Sequence, residues 1–263
     1  MVQADGEVEE SDQSEGTLGR HVVQRLRQSG HHVRILSRKQ HAEVDAVRGD
    51  LKTGTGLEVA VAGCHAIIHA ATGFRQSLSS RATDVDGTRR LLEVARREDI
   101  KHLVYVSIVG IEGVDLPYYR TKLAAEALVR DGNIPWTILR ATQFHDLMEV
   151  YLGAFTLLPG LALIPFDWQF QPIDASEVAQ RLAAVVLAQP SGTREDFGGP
   201  QVRDFKSIAQ AWLSARKLKR RMANLRLPFK FSRQFAEGRL LASGHRQGTI
   251  TFERWLAQKY RSM

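Results

Sequence analysis

The sequence predicts an α/β fold: a doubly wound parallel sheet followed by a small C-terminal lobe on the substrate side. Three observations carry this. Helical and strand-like periodicities alternate from residue 17 to residue 139, the strand-like runs are almost continuously apolar, and the second half shifts to shorter, less regular elements. Continuous apolar strands belong to sheets covered by helices on both faces, and alternation with helices makes those strands parallel.

In chain order, residues 17–29 carry Leu18, Val22, Val23 and Leu26 at helical spacing, and Gly30 separates them from a short strand at 32–36. An extended piece ending at Gly49-Asp50-Leu51 follows, then a helix near 56–62 and the apolar strand 66–70. Residues 84–98 read as a helix with Leu91, Leu92, Val94 and Ala95 inward, 102–107 as the next buried strand, and the helix opened by Tyr118 leads to a strand at 136–139. Beyond it, 144–158 looks helical and 171–173 extended. Residues 174–187 form an amphipathic helix with Asp174 as its N-cap, 197–200 a turn, and 205–218 and 249–259 two further helices. No internal repeat is present.

Residues 1–15 run against this pattern. They hold Asp5, Glu7, Glu9, Glu10, Asp12 and Glu15 with no Lys or Arg, and burying such carboxylates at the centre of a sheet costs several kcal/mol each unless they are paired. The segment is therefore expected to be disordered or a degenerate first strand. Residues 16–263 are expected to form one domain whose lobe is built mainly from 144–263.

Composition narrows the classes. The 263 residues are 43% hydrophobic and 25% charged, ordinary for a globular chain with a sizeable core. A lone cysteine, Cys64, excludes a disulfide framework and a cysteine-based metal motif, and suits a reducing compartment. No apolar run approaches a membrane span, and the acidic N-terminus is unlike a signal peptide, so the cytoplasm is the expected location. The net charge of +7 suits an anionic ligand, nucleic acid, a membrane surface or simple solubility.

Several residues fall where such a sheet binds a nucleotide, at the carboxyl ends of its strands. Gly16-Thr17-Leu18-Gly19 opens the first helix. Free backbone N–H groups and the helix dipole can hold a pyrophosphate there, Gly16 permitting close approach and Gly19 tight helix-to-sheet packing. Gln13 stands where a third glycine would complete the fingerprint. Arg38, after the second strand, points to NADP(H) over NAD(H), because a basic residue there accommodates a 2′-phosphate. Asp50, with Leu51, could meet the adenine, and Ala70, Ala71 and Thr72 are small enough to let a cofactor pass. Tyr118 and Lys122 lie four apart at a helix start, so the ammonium can sit near the phenol and draw its pKa down from ~10 toward acid–base use. The plain alternative is a first turn with a solvated lysine.

With these residues in view, the chain resembles the atypical short-chain dehydrogenase/reductases, specifically the NmrA-like NAD(P)H-binding group, from Gly16 to about Trp255. The resemblance rests on Gly16-Thr17-Leu18-Gly19-Arg20, Asp86-Gly87-Thr88, Val104-Tyr105-Val106-Ser107, Tyr118-Tyr119-Arg120-Thr121-Lys122, the stretch from Trp136 through Arg140-Ala141-Thr142-Gln143-Phe144-His145, and Asp174 to Val178. It implies a Rossmann fold, NADP(H), and a Ser107/Tyr118/Lys122 site. Tyrosine would exchange the proton, lysine hold the nicotinamide ribose and serine polarise a substrate carbonyl, with Ala141, Thr142 and Phe144 lining the nicotinamide end. Two features depart from the family. Its first strand and Thr-Gly-x-x-Gly turn are absent, and Ile108 stands where a second, often catalytic, serine is common. The implied function is an NADP(H)-dependent oxidoreductase of a small carbonyl, quinone or similar compound. The alternatives are a non-catalytic dinucleotide sensor and an inactive remnant.

Other features have plainer readings. His65 and His69 flank an apolar run without carboxylates at ligand spacing, so no metal site is expected. His145 reads as a polar residue at a pocket edge. Between 216 and 233 lie Arg216, Lys217, Lys219, Arg220, Arg221, Arg226, Lys230 and Arg233 with no acid among them. That segment could grip nucleic acid or an anionic membrane, or could be a solvated helix end.

Overall fold

A computed structural model describes residues 2–3, 17–38, 45–72 and 81–261. Among the described residues, the principal sheet has seven strands in the order β3-β2-β1-β4-β5-β6-β9. They are β1 (Val2–Gln3), β2 (Ile35–Ser37), β3 (Ala46–Arg48), β4 (Ala66–His69), β5 (His102–Ile108), β6 (Trp136–Ala141) and β9 (Arg194–Phe197). The registers from β3 across to β5 are parallel. The order reverses at β1, whose neighbours are β2 and β4, and this is the switch point at which doubly wound sheets open a crevice. Val2–Gln3 pairs with Ile35–Leu36 on one side and Ile68–His69 on the other. Two residues thus supply the central strand, ahead of the acidic run on which the sequence expectation was based. Residues 4–16 lie outside the described residues.

The chain divides into two compact units. The first comprises Met1–Ser107, Pro117–Arg140 and Ser176–Glu195, and the second Ile108–Leu116, Ala141–Ala175 and Asp196–Met263. In the first, helix α1 (Thr17–Gln28) buries Leu18, Val22, Val23 and Leu26, the stripe its spacing demands. Short α2 (Leu57–Val61) and α3 (Thr88–Arg97) contribute Leu57, Ala60, Leu91, Leu92 and Ala95 to a core with Leu36, Ile67, Leu103 and Ile138. Gly49 is required where the chain leaves β3: a Cβ there would lie 2.3 Å from the Thr55 carbonyl oxygen and 2.5 Å from Leu36 Cδ1. The helix expected at 84–98 enters differently, because Arg81–Gly87 winds as a π-helix before α3 begins. Helices α4 (Pro117–Arg130) and α6 (Ala175–Leu187) complete this layer, and Pro117 suits the first position of α4, where an N–H would go unused.

The second unit contains elements that periodicity did not reveal. Parallel strands β7 (Leu161–Ile164) and β11 (Arg221–Asn224) form one small sheet, antiparallel β8 (Gln169–Phe170) and β10 (Arg203–Asp204) another. Helices α5 (His145–Phe155), α7 (Phe205–Ala215), α8 (Lys230–Ala236) and α9 (Phe252–Tyr260) surround them. Asp204 caps α7 by accepting from the Ser207 N–H, and Thr251 caps α9 by accepting from Arg254. The interior is aromatic. Trp168 stacks on Phe205 at 5.9 Å and meets Phe235 edge-on at 4.9 Å, while Phe170 contacts both phenylalanines.

Candidate active site

Helix α4 begins beyond β5 and brings Tyr118 and Lys122 to one face of its first turns. The lysine is buried. Its Nζ donates to the Val106 carbonyl oxygen at 2.8 Å, lies 4.3 Å over the Tyr105 ring and stands 4.0 Å from Asp84 Oδ1. Burial lowers the Lys122 pKa from its ordinary value, while Asp84 and then Glu126 oppose the fall. Glu126, one turn further along, is committed elsewhere. Arg140 grips both its oxygens, at 2.9 and 2.7 Å, and Arg194 stands 3.9 Å away. Asp84, fully buried in the π-helical segment, thus brings a carboxylate to the ammonium from a different element.

Tyr118 is half-buried, with its hydroxyl 2.9 Å from Thr72 Oγ1. Thr72 follows β4, so the phenol stands at the carboxyl end of the parallel strands, where the pattern predicted the site. Ser107, near the end of β5, is buried, and its hydroxyl has no hydrogen-bond partner among the described residues. A buried hydroxyl in that condition is costly, unless a ligand's polar group completes it. Tyr105 cannot share the acid–base work. Burial, reinforced by Asp84, Tyr118 and Glu126, holds its phenol well above the ordinary tyrosine value.

The remaining nucleotide residues divide by environment. Gly16 lies outside the described residues. Thr17 opens α1, and Leu18 and Gly19 are buried against the sheet. Arg38, directly after β2, is partly exposed. The Asp50 carboxylate accepts from the Lys52 N–H at 2.8 Å, closing its own turn. Leu51 and Ala71 are fully buried core side chains, while Ala70 and Thr72 are partly exposed. In the second unit, the Thr142 N–H donates to the Phe197 oxygen at 3.1 Å and its hydroxyl accepts from Gly199 N at 3.1 Å. Phe144 forms the N-cap of α5 and bridges to Ile173.

Three residues read differently from expectation or were missed. His145, expected at a pocket edge, is fully buried, with Nε2 3.0 Å from the Ile250 oxygen and its ring 5.6 Å from those of Phe252 and Trp255. Gln143 is buried with neither amide atom hydrogen-bonded among the described residues; a polar residue two positions after the strand ending at Ala141 was the available signal. Glu149 anchors α5 to α7 and α9, accepting from Trp212 Nε1 at 3.0 Å, from Lys259 at 2.5 Å and from the Tyr260 hydroxyl. Burial alone would raise its carboxyl, but those three donors hold it below the ordinary value.

His69 is fully buried. Its Nε2 lies 2.8 Å from Thr88 Oγ1, and burial, aided by Lys122, lowers its pKa to about 3. Among the described residues no group of three or more His, Cys, Asp or Glu could hold a metal, and no helix is long and apolar enough to cross a membrane. Much of the basic segment is engaged within its own unit. Arg216 lies 4.7 Å over the Trp212 ring, Arg220 donates to the Leu158 oxygen, and Lys230 and Arg233 pair with Asp115 and Glu237 at 3.4 Å.

The decisive comparison is with a family model described as NAD(P)H-binding, which matches residues 14–153, over half of the chain. The chain belongs to the NAD(P)H-binding family. Among curated proteins it is similar to the photosystem II assembly factor Ycf39 of Trieres chinensis, 29% identical over 57% of this chain and 49% of that protein. A ceramide reductase of Caulobacter vibrioides is also 29% identical, over 65% and 57%. The chain thus spans about half the length of these relatives. Among solved structures, MoeE5 in complex with UDP-glucuronic acid and NAD superposes with a TM-score of 0.73 at 20% identity, covering 94% of this chain and 96% of that one. The UDP-glucose 4-epimerase of Thermotoga maritima gives 0.72 at 12% identity, covering 99% and 98%. At such identities the likeness establishes the fold.

Proposed function

We propose that this family member is an NADP(H)-dependent oxidoreductase acting on a small carbonyl, quinone or similar compound. The observation that carries the reading is the Tyr118/Lys122 pair: a half-exposed phenol hydroxyl beside Thr72, and a buried ammonium on the same helix at the carboxyl ends of β4 and β5. A dinucleotide fits the residues present. Helix α1 opens next to the switch point, Ala70 and Thr72 are small and accessible, Arg38 offers a cation for a 2′-phosphate, and the buried Ser107 hydroxyl lacks a partner among the described residues. When bound, the nicotinamide supplies or takes the hydride.

The chain's own residues handle the proton. In the reducing direction Tyr118 gives its phenolic proton to the substrate oxygen as that oxygen gains negative charge, and Lys122 stabilises the phenolate left behind. Ser107 donates to the same oxygen, and Lys122 additionally holds a ribose hydroxyl. Titration with NADPH and NADH, followed by fluorescence, tests the base of this reading; binding of neither ends it. The MoeE5 structure named above holds NAD, so the ratio of the two affinities tests Arg38 directly. If NADPH binds, Tyr118→Phe should cut turnover by about 10²–10⁴ with binding retained, and unchanged turnover removes Tyr118 from the chemistry.

A second reading, a dinucleotide sensor without turnover, is favoured by Ile108 in place of a second serine and by the burial of Ser107. It predicts NADPH binding with no oxidation across a panel of aldehydes, ketones and quinones, and a protein partner whose affinity changes with cofactor.

A further inference from the structure

The loop between α5 and β7 exposes two consecutive leucines. Leu157 is 81% exposed and Leu158 50%, in a unit whose core is aromatic. Single exposed leucines are unremarkable, but these two continue into a half-exposed apolar strand face, Leu161 and Leu163 of β7. Across the register from Leu161 stands Arg221, which is exposed, and across from Leu163 stands Ala223. Because β11 runs parallel to β7, the start of β11 and the cations just before it lie beside the leucine loop. Arg220 donates to the Leu158 carbonyl oxygen, and the Arg221 N–H donates to the Gly160 oxygen at 2.9 Å. Lys217 and Lys219 immediately precede them and are exposed. No acidic residue occurs between 216 and 233.

We propose that the Leu157–Leu158 loop and the cations Lys217, Lys219, Arg220 and Arg221 form a docking surface for an anionic lipid bilayer. The leucines enter the boundary between headgroups and acyl chains, and the cations meet lipid phosphates and carboxylates. Charge complementarity selects this occupant. An isologous contact with a second copy would set these cations against themselves, which like charges oppose. Nucleic acid would reward the cations but offers little to two aliphatic side chains, since single strands are held by aromatic stacking. The exposed aromatic ring of the same basic segment, Phe229, is stacked on Phe231 at 5.5 Å. An anionic bilayer rewards both halves of the surface at once. The inference is independent of the nucleotide site, which involves none of these residues.

The test is sedimentation of the full chain with vesicles of equal parts phosphatidylserine and phosphatidylcholine, against vesicles of phosphatidylcholine alone. Binding to the anionic vesicles only is expected. The double variant Leu157→Ser/Leu158→Ser and the charge variant Lys217→Glu/Lys219→Glu should each weaken it on the order of tenfold. All four side chains are exposed, and an unchanged circular dichroism spectrum confirms that each variant is folded. Absence of vesicle binding at low salt overturns the proposal, as does a leucine variant that binds like the parent. A single-stranded oligonucleotide bound equally well by parent and leucine variant would assign the surface to nucleic acid instead. Concentration-dependent dimerisation lost in the leucine variant would assign it to a second copy.

Discussion

The interior of the first unit holds charge, whereas that of the second holds rings. Lys122, Asp84, Glu126 and Arg140 are each no more than 4% exposed, all within the first unit. In the second, the corresponding volume is taken by Trp168, Phe170, Phe205 and Phe235. Buried ions contribute little to stability on balance, because desolvation offsets most of their attraction. Aromatic burial contributes directly and is indifferent to pH. On the proposed function, one of these buried charges, Lys122, is retained at a cost in stability because it is used.

Breaking the charged interior should produce the largest effect. Glu126→Gln leaves Arg140 buried without its bidentate partner, and urea denaturation should show a loss of about 3–5 kcal/mol. A loss below 1 kcal/mol would mean that water reaches the pair. In the aromatic interior, Trp168→Phe keeps a ring but removes the indole N–H that donates to Ser232 Oγ at 2.9 Å. The same measurement should give about 1–3 kcal/mol, and an effect as large as that of Glu126→Gln would erase the contrast.

The two interiors should also differ in acid. The folded-state pKa of His69 is depressed to about 3 from 6.5, so the unfolded chain binds the extra proton. Its contribution is fully present above pH 6.5 and is lost as pH falls toward 3. His69→Gln should reduce the slope of stability against pH in that window by about 1.4 kcal/mol per pH unit, read from denaturation midpoints across the range. An unaltered slope would assign the acid sensitivity to other groups, such as His102, whose pKa burial also lowers. The smallest effect is expected at Gln143. Replacing its unpaired amide with leucine should leave thermal stability unchanged or raise it by up to ~1 kcal/mol, and a clear loss would reveal a partner for that amide.

Much of the fold was legible in the sequence because parallel strands and amphipathic helices write themselves in period. The apolar runs at 66–70 and 102–107 became β4 and β5 with little change of boundary. The second unit was harder. Strands β7, β8, β10 and β11 are two to four residues long, too short for alternation to declare itself, and β11 carries part of the basic segment. Val2–Gln3 escaped notice for the same reason, overshadowed by the acids after it. At the candidate site, the four-residue spacing anticipated that Tyr118 and Lys122 share the first turns of one helix. Asp84, by contrast, approaches Lys122 from a different element, and no local pattern could announce that meeting. Burial also separated Leu51 and Ala71, which fill the core, from Thr72, which meets the phenol.

The π-helical segment Arg81–Gly87 has a consequence for how this chain tolerates changes of length. A π-turn accommodates one residue more than an α-turn. Deleting the half-exposed Asp86 would let the backbone relax to regular α geometry, in which each residue advances by about 100° around the axis. Asp84 would swing by that angle relative to α3 and leave the ammonium of Lys122. The buried charge pair is thus encoded in residue count as well as in residue identity. A frame-preserving deletion two residues away would silence it with Asp84 and Lys122 both still present in the chain.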